Sequence, residues 1–345
     1  MRIALVHDDL VQWGGAERTF YHLTQIFPEA AIFTSLYNKQ NPLLTEYFAK
    51  KDIKTSFLQK VPGWRMLYKF LLPLYPIAFE QFDFSEFDVV ISSTTRFAKS
   101  IITKPQTRHI CYCHTPPRFL WGNKKILGGE WFKRYDLVSA KRVDDWIAGS
   151  KNAQQKIKDI YGVDSTVIYP PVDIEKLKDV EPFDGGYLLV VTRLNKYKRV
   201  DLAVKAANQL NIPLQVVGVG PEYDNLYRLA GPSVQLLGLV DENLLVKLLA
   251  GCRALLVCGE EDFGLTPLEA QALGKPVIAY KKGGVLESII DGVTGFLFNE
   301  ASISGIKEAL DRLDKLGYDT IKCKEQARKF SVSVFRENFR QVVKL

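Results

Sequence analysis

Short apolar runs rich in β-branched residues alternate with helical patterns, and this alternation occurs twice along the chain. The runs in the first half cover residues 2–7, 30–35, 89–92 and 108–113. Those in the second half cover residues 187–191, 214–218, 234–236, 254–257 and 276–279. Strands separated by helices are typical of parallel sheets with crossover helices. The sequence therefore predicts two α/β domains.

The boundary between the two halves is predicted at a pair of prolines. Pro170 and Pro171 enforce an extended backbone, and the polar stretch that follows ends in Asp184-Gly185-Gly186. We predict a first domain over residues 1–168, a second over residues 169–329, and a final helix over residues 330–345 that crosses back to the first domain. With 345 residues, of which 47% are hydrophobic, each domain can bury its own core.

Composition favours a cytoplasmic protein. The chain opens with only four apolar residues, Ile3 to Val6, before charge returns, which is too few for the centre of a secretory signal. No run approaches the roughly 18 to 20 apolar residues that cross a bilayer. Five cysteines without a CxxC pair fit reduced thiols better than disulfides. The net charge of +7 is modest, and we expect no nucleic-acid partner.

Two loops carry residue types that suit a phosphate. Gly14-Gly15 connects the first strand to a helix, where paired glycines allow a close backbone approach and the helix offers unpaired N–H groups. A strand-to-helix turn favours glycine in any case, so both interpretations stay open. Arg193 and Lys198 follow the first strand of the second domain and suit a diphosphate, whereas charge alone favours a solvated loop.

The stretch from Glu260 to Glu269 favours the ligand-binding interpretation. Thr266 is predicted to cap a helix, with Pro267 at its first position and Glu269 completing a capping box. That helix follows the strand 254–257 through a glycine-containing loop, so its N–H groups point toward the edge where a phosphate would bind. Glu261 on this loop is a good bidentate acceptor for two sugar hydroxyls.

Glu261 and Glu269 have the spacing of the paired glutamates in glycosyltransferase family 4, and the chain resembles that family over nearly its full length. Gly14-Gly15 matches the family's N-terminal glycine loop, Arg193 and Lys198 match its Arg-x4-Lys pair, and Gly218 and Gly283-Gly284 fall at the expected places. The resemblance implies the GT-B fold, in which two Rossmann-like domains face each other across a cleft.

The resemblance also implies a role for each matched residue. Arg193 and Lys198 would bind the donor diphosphate, Glu261 the donor sugar and Glu269 the ribose. The family is thought to retain the anomeric configuration by reaction on one face of the sugar, without a protein nucleophile or a metal. His114-Thr115-Pro116 looks like the same segment of family mannosyltransferases, so His114 is predicted in the catalytic site. The remaining donor contacts would come from Gly14, Gly15, Gly218, Phe263, Gly264, Leu265 and Thr266.

The resemblance to mannosyltransferases of polysaccharide assembly makes GDP-mannose the expected donor, with no further cofactor. A glycan or lipid-linked acceptor is the expected partner. A UDP-sugar donor, a sugar-nucleotide epimerase and a catalytically silent nucleotide-sugar binder are the alternatives. An epimerase requires acid and base carboxylates that this motif set lacks, and a silent binder is expected to have lost Arg193, Lys198 or Glu261.

One segment of the first domain allows two interpretations. Residues 61–76 mix aromatic, leucine and basic side chains. A core helix that covers the first sheet is the favoured interpretation. The alternative is peripheral docking of this segment on the inner face of an anionic membrane, close to a lipid-linked acceptor.

Overall fold

The computed structural model describes residues 1–68, 70–122 and 128–343. The chain divides into two compact units, one of Met1–Pro170 with Asn338–Leu345 and one of Pro171–Glu337. Each unit has one parallel sheet with helices, as the alternation of strand and helix patterns predicted. No helix within the described ranges is both long and apolar enough to cross a bilayer.

The first unit is built on a seven-stranded parallel sheet with the order β3-β2-β1-β4-β5-β6-β7. Its strands are β1 (Ile3–His7), β2 (Ala31–Thr34), β3 (Ile53–Thr55), β4 (Val89–Thr94), β5 (Arg108–Cys113), β6 (Asp145–Ala148) and β7 (Thr166–Val167). Its helices are α1 (Gly15–Ile26), α2 (Pro42–Phe48), α3 (Trp64–Leu67), α4 (Tyr75–Glu80), α5 (Arg118–Trp121), α6 (Gly129–Ala140) and α7 (Lys151–Tyr161). The strand order reverses between β1 and β4, and ligands of open α/β sheets bind at such a reversal.

The second unit has a six-stranded parallel sheet with the order β10-β9-β8-β11-β12-β13. Its strands are β8 (Leu188–Val191), β9 (Leu214–Val217), β10 (Val234–Gly238), β11 (Ala254–Val257), β12 (Val277–Tyr280) and β13 (Gly295–Phe298). Its helices are α8 (Val200–Leu210), α9 (Tyr223–Leu229), α10 (Glu242–Gly251), α11 (Leu265–Ala272), α12 (Val285–Ser288), α13 (Ile303–Leu316) and α14 (Thr320–Arg328). Here the order reverses between β8 and β11. The last helix, α15 (Val332–Val343), begins in the second unit and ends in the first.

The predicted core helix over residues 61–76 is wrong. The segment contains the single-turn helix α3, a short 3₁₀ turn at Leu72–Leu74 and the start of α4. Gly63 precedes α3 with a left-handed φ of 70°, and Pro73 and Pro76 cannot continue a helix from the preceding turn. Lys69 of this segment lies outside the described residues.

Candidate functional site

A mostly buried ion pair of the second unit lies at the carboxyl edge of its sheet. The loop after β8 carries Lys198, and the loop after β11 carries Glu261. Because β8 and β11 are neighbours, these loops meet, and Lys198 Nζ lies 2.5 Å from Glu261 Oε2. Both side chains are mostly buried, with 12% and 18% exposed. The structure therefore brings together two of the residues that the sequence predicted, and places Arg193 as an exposed residue on the same loop as Lys198.

Glycines hold these loops in close contact. A Cβ at Gly259 would lie 2.7 Å from Lys198 Cα, and one at Gly283 would collide with the carbonyl of Glu261. The amide of Gly284 donates to that same carbonyl over 2.8 Å. Gly218 approaches the carbonyl of Thr192 just as closely, so a side chain there would push the loop after β9 away from the Arg193 loop. The positions of Lys198 and Glu261 thus depend on backbone contacts that only glycine permits.

Helix α11 begins earlier than the sequence predicted. Its N-cap is Gly264, with a φ of 93°, so Thr266 lies inside the first turn and does not cap the helix. The predicted capping box of Thr266 and Glu269 is therefore wrong, because glycine adopts the left-handed backbone that starts this helix. Glu269 is 7% exposed, and the ring of Phe263 packs on Phe330 with centroids 5.4 Å apart. The amides from Leu265 onward are those of the first turn of α11.

The carboxylate of Glu17 accepts hydrogen bonds from the glycine loop of the first unit. Gly14 is the N-cap of α1, and its amide donates to Glu17 Oε2 over 2.9 Å. Gln12 Nε2 donates to the other oxygen of Glu17 over 3.2 Å. Glu17 is almost fully buried, so it fixes this turn. Gly15 is exposed at the start of the helix.

His114 lies at the carboxyl edge of the first sheet, next to the reversal of strand order. It directly follows β5 and is half-buried, and its Nε2 is 2.9 Å from the hydroxyl of Ser93 at the end of β4. The same hydroxyl is 3.1 Å from Nδ1 of His7, the last residue of β1. Three neighbouring strands therefore end in a chain of two imidazoles joined by one serine.

Asp8 organises the backbone beside this chain of side chains. Its carboxylate accepts hydrogen bonds from the amides of Phe97 and Ala98 over 2.8 and 2.7 Å, and from the amide and hydroxyl of Thr95. Burial by itself would raise the pKa of Asp8, but the charge of Arg96 and the amide donors lower it below its usual range. Asp8 is thus an ionised anchor for the loop after β4.

Two family models match consecutive parts of the chain. The model described as Glycosyltransferase Family 4 matches residues 13–176, and the model described as Glycosyl transferases group 1 matches residues 173–330. The chain is a glycosyltransferase whose two halves match the family 4 and the group 1 models. The first match spans the His114 region and the second spans Lys198 and Glu261.

Mannosyltransferases are among the relatives of this glycosyltransferase. Alpha-1,3/1,6-mannosyltransferase ALG2 of Homo sapiens is 28% identical over 332 residues, which cover 81% of this chain and 77% of that protein. ALG2 of Dictyostelium discoideum is 22% identical over 435 residues, covering 100% of this chain and 98% of that protein.

Solved structures establish the fold as GT-B. Anabaena Alr3699/HepE in complex with UDP-glucose superposes with a TM-score of 0.76 at 19% identity, covering 100% of both chains. Sucrose-phosphate synthase from Thermosynechococcus elongatus superposes with a TM-score of 0.75 at 15% identity, covering 100% of this chain and 98% of that one. The predicted fold class, GT-B with two Rossmann-like domains, is confirmed.

Sequence reasoning missed several residues that shape the candidate site. Ser93 and His7 are ordinary strand residues in the sequence, and Gly259 is a single glycine after a strand. The available signal was positional, because each of them lies within two residues of the carboxyl end of a strand, the edge where ligands bind in this class of sheet.

Proposed function

We propose that this glycosyltransferase moves mannose from GDP-mannose to a glycan or lipid-linked acceptor, with retention of the anomeric configuration. The observation that carries the proposal is the Lys198–Glu261 pair at the carboxyl edge of the second sheet. The His114-Thr115-Pro116 segment and the ALG2 relatives support mannose. The UDP-glucose bound to Anabaena Alr3699/HepE supports a UDP-sugar as the second candidate donor.

In the proposed donor complex, Lys198 and Glu261 exchange their mutual contact for contacts with the donor. The diphosphate accepts hydrogen bonds from Lys198 and Arg193, and hydroxyls of the sugar donate to Glu261. Glu269 binds the ribose, and amides of the first turn of α11 support the phosphate. A cation at the diphosphate stabilises the negative charge that grows there as the bond to the sugar breaks.

Two mechanistic features belong to the same proposal. The leaving phosphate accepts the proton of the attacking hydroxyl on the face from which it departs, which retains the configuration without a protein nucleophile. Arg193 and Lys198 supply the positive charge that a metal supplies in other transferases, so we propose that the reaction needs no metal. His114 is proposed as the catalytic-site residue of the first unit.

An assay with a panel of donors tests the function. Purified protein is incubated with GDP-mannose, UDP-glucose or UDP-N-acetylglucosamine, a mixture of glycan and polyprenyl-phosphate acceptors, and either EDTA or Mg²⁺. Proton NMR follows donor loss and the configuration of the new bond. We expect GDP-mannose to be consumed, with retention and equally in EDTA. Consumption of a UDP-sugar alone would replace the donor, and binding without turnover of any donor would favour the silent relative.

We also propose that an exposed apolar patch on the first unit docks on an anionic lipid surface. Met66, Phe70 and Ile77 are 85%, 80% and 56% exposed. Lys60 and Arg65 are also exposed, so cationic and apolar side chains are exposed close together in the sequence. Apolar side chains beside basic ones are typical of interfacial segments on the cytoplasmic leaflet. Such docking would bring the enzyme to a lipid-linked acceptor.

Vesicle flotation tests the docking. We expect the protein to float with vesicles of phosphatidylglycerol and phosphatidylcholine, and the Met66→Ser/Phe70→Ser double variant to stay at the bottom of the gradient. Leu239→Ser removes an equally exposed leucine, 76% exposed, from the second unit and serves as the matched control. Wild-type protein that stays wholly in the soluble fraction would contradict the docking proposal.

A further inference from the structure

The structure assigns Ser93 as a positioning residue for His114. We infer that the Ser93 hydroxyl donates to His114 Nε2 and thereby keeps the ring proton on Nδ1, where it can be offered to the substrate. This inference rests on the proposed catalytic role of His114. Ser93 is fully buried, and the strand register places it opposite His7. It therefore connects a buried histidine to the half-buried one.

The single proton of the Ser93 hydroxyl couples the tautomer of His7 to the tautomer of His114. A serine hydroxyl has one proton, so between two neutral imidazoles it donates to one and accepts from the other. If it donates to His114 Nε2, it accepts from His7 Nδ1–H, and both rings carry their proton on Nδ1. In the opposite arrangement both rings carry it on Nε2. His114 Nε2 faces Ser93 in either case, so a hydrogen bond from neutral His114 to substrate requires the first arrangement.

The adjacent serine shows the same geometry with a fixed direction. Ser92 Oγ is 2.8 Å from His109 Nε2, and His109 Nδ1 is 3.1 Å from the carbonyl of Arg142. A carbonyl only accepts, so His109 carries its proton on Nδ1 and Nε2 accepts from Ser92. Burial lowers the pKa of His109 to about 4, which keeps this ring neutral. Ser92 and Ser93 project to opposite faces of β4, so the two serine–histidine pairs are separate.

Nitrogen NMR reads the inference directly without any substrate. The chain has four histidines, so a long-range proton–nitrogen correlation spectrum of ring-labelled protein contains four ring systems. His109 supplies an internal reference for the Nδ1–H form. We expect His7 and His114 to show the Nδ1–H pattern in the wild-type protein. An Nε2–H pattern for His114 would overturn the inference, even if the variant below fails to fold.

Kinetics then separate positioning from folding. We expect Ser93→Ala to abolish the Nδ1–H pattern of His114 and to lower kcat about tenfold, with the donor KM unchanged within about twofold. Ser92→Ala removes an equally buried hydroxyl from the next residue and should leave kcat and the His114 spectrum unchanged. Equal effects of the two substitutions, or a Ser93→Ala protein with wild-type kcat, would overturn the role of Ser93. A wild-type protein that turns over no donor would instead count against the proposed function. The tautomer of His114 is measured without substrate, so the two outcomes can be distinguished.

Discussion

A single added methyl group at Gly259 should disable the proposed donor site while leaving its charged residues in place. The ideal Cβ of Gly259→Ala lies 2.6 Å from the carbonyl oxygen of Tyr197 and 2.7 Å from Lys198 Cα, whereas ordinary contact begins at 3.4 Å. The turn that carries Lys198 must therefore move by about 0.8 Å, because backbone cannot rotate aside as a side chain can. A misplacement of about 1 Å can cost about 100-fold in rate. We expect kcat/KM for the donor to fall roughly 10- to 100-fold.

The control and the readouts separate this effect from lost stability. Gly259→Ala should cost about 1 to 3 kcal/mol of unfolding free energy through overpacking. Gly292→Ala meets no atom within 4 Å but forces a side chain into a left-handed φ of 79°, which costs about 1 to 2 kcal/mol. Steady-state kinetics and urea unfolding are measured on both variants. A folded Gly259→Ala protein with wild-type kcat/KM, or an equal loss of activity in Gly292→Ala, would refute the reasoning.

Three further predictions concern buried groups. Lys99→Met should lower the free energy of unfolding in urea by about 3 to 5 kcal/mol, because it leaves the buried carboxylate of Asp136 without its ion pair. Lys133→Met removes one partner of an exposed ion pair and should lower it by under about 1 kcal/mol. Similar losses in the two variants would contradict this prediction. Burial raises the pKa of the Cys111 thiol to about 12 and also raises the pKa of the other four cysteines. Iodoacetamide at pH 8 should therefore modify none of the five cysteines until the protein unfolds. Mass spectrometry of the folded and the unfolded protein checks this. The pKa of His109 is about 4 in the folded protein and about 6.5 in the unfolded chain, so the unfolded chain binds a proton first as the pH falls. The free energy of unfolding should therefore fall by about 3 kcal/mol between pH 6.5 and pH 4. A His109→Gln protein whose free energy of unfolding falls equally over this pH range would contradict the prediction.

The sheet architecture could be predicted from the sequence because buried parallel strands are continuous apolar runs. The strands at 108–113 and 254–257 were predicted with the bounds that the structure has. Strands β3 and β7 were missed because three and two residues are too short to show a pattern. Strand β6 was missed because it opens with an aspartate, and β13 because it is one short apolar run after a glycine.

The chemistry of the site was predictable only where residue type and spacing carry it. Lys198 and Glu261 were predicted in this way, and the structure places them in contact. The start of α11 was misplaced because Thr266 and Pro267 are good residues at the start of any helix, whereas the decisive feature is the backbone conformation of Gly264. Ser93 could not be predicted, because its proposed role depends on strand register, which brings residues that are distant in sequence side by side.

The central claim is that Lys198 binds the donor diphosphate and Glu261 binds the donor sugar. Isothermal titration calorimetry tests this claim most directly. Wild-type, Lys198→Ala and Glu261→Ala proteins are titrated with GDP and GDP-mannose and with UDP and UDP-glucose, and Lys196→Ala in the same turn is the matched control. We predict that Lys198→Ala weakens the nucleotide and the nucleotide sugar alike, by about tenfold or more, because it removes a charge-assisted contact to the diphosphate. Glu261→Ala should weaken only the nucleotide sugar. Equal weakening of free nucleotide and nucleotide sugar by Glu261→Ala, or unchanged binding in Lys198→Ala, would contradict the account.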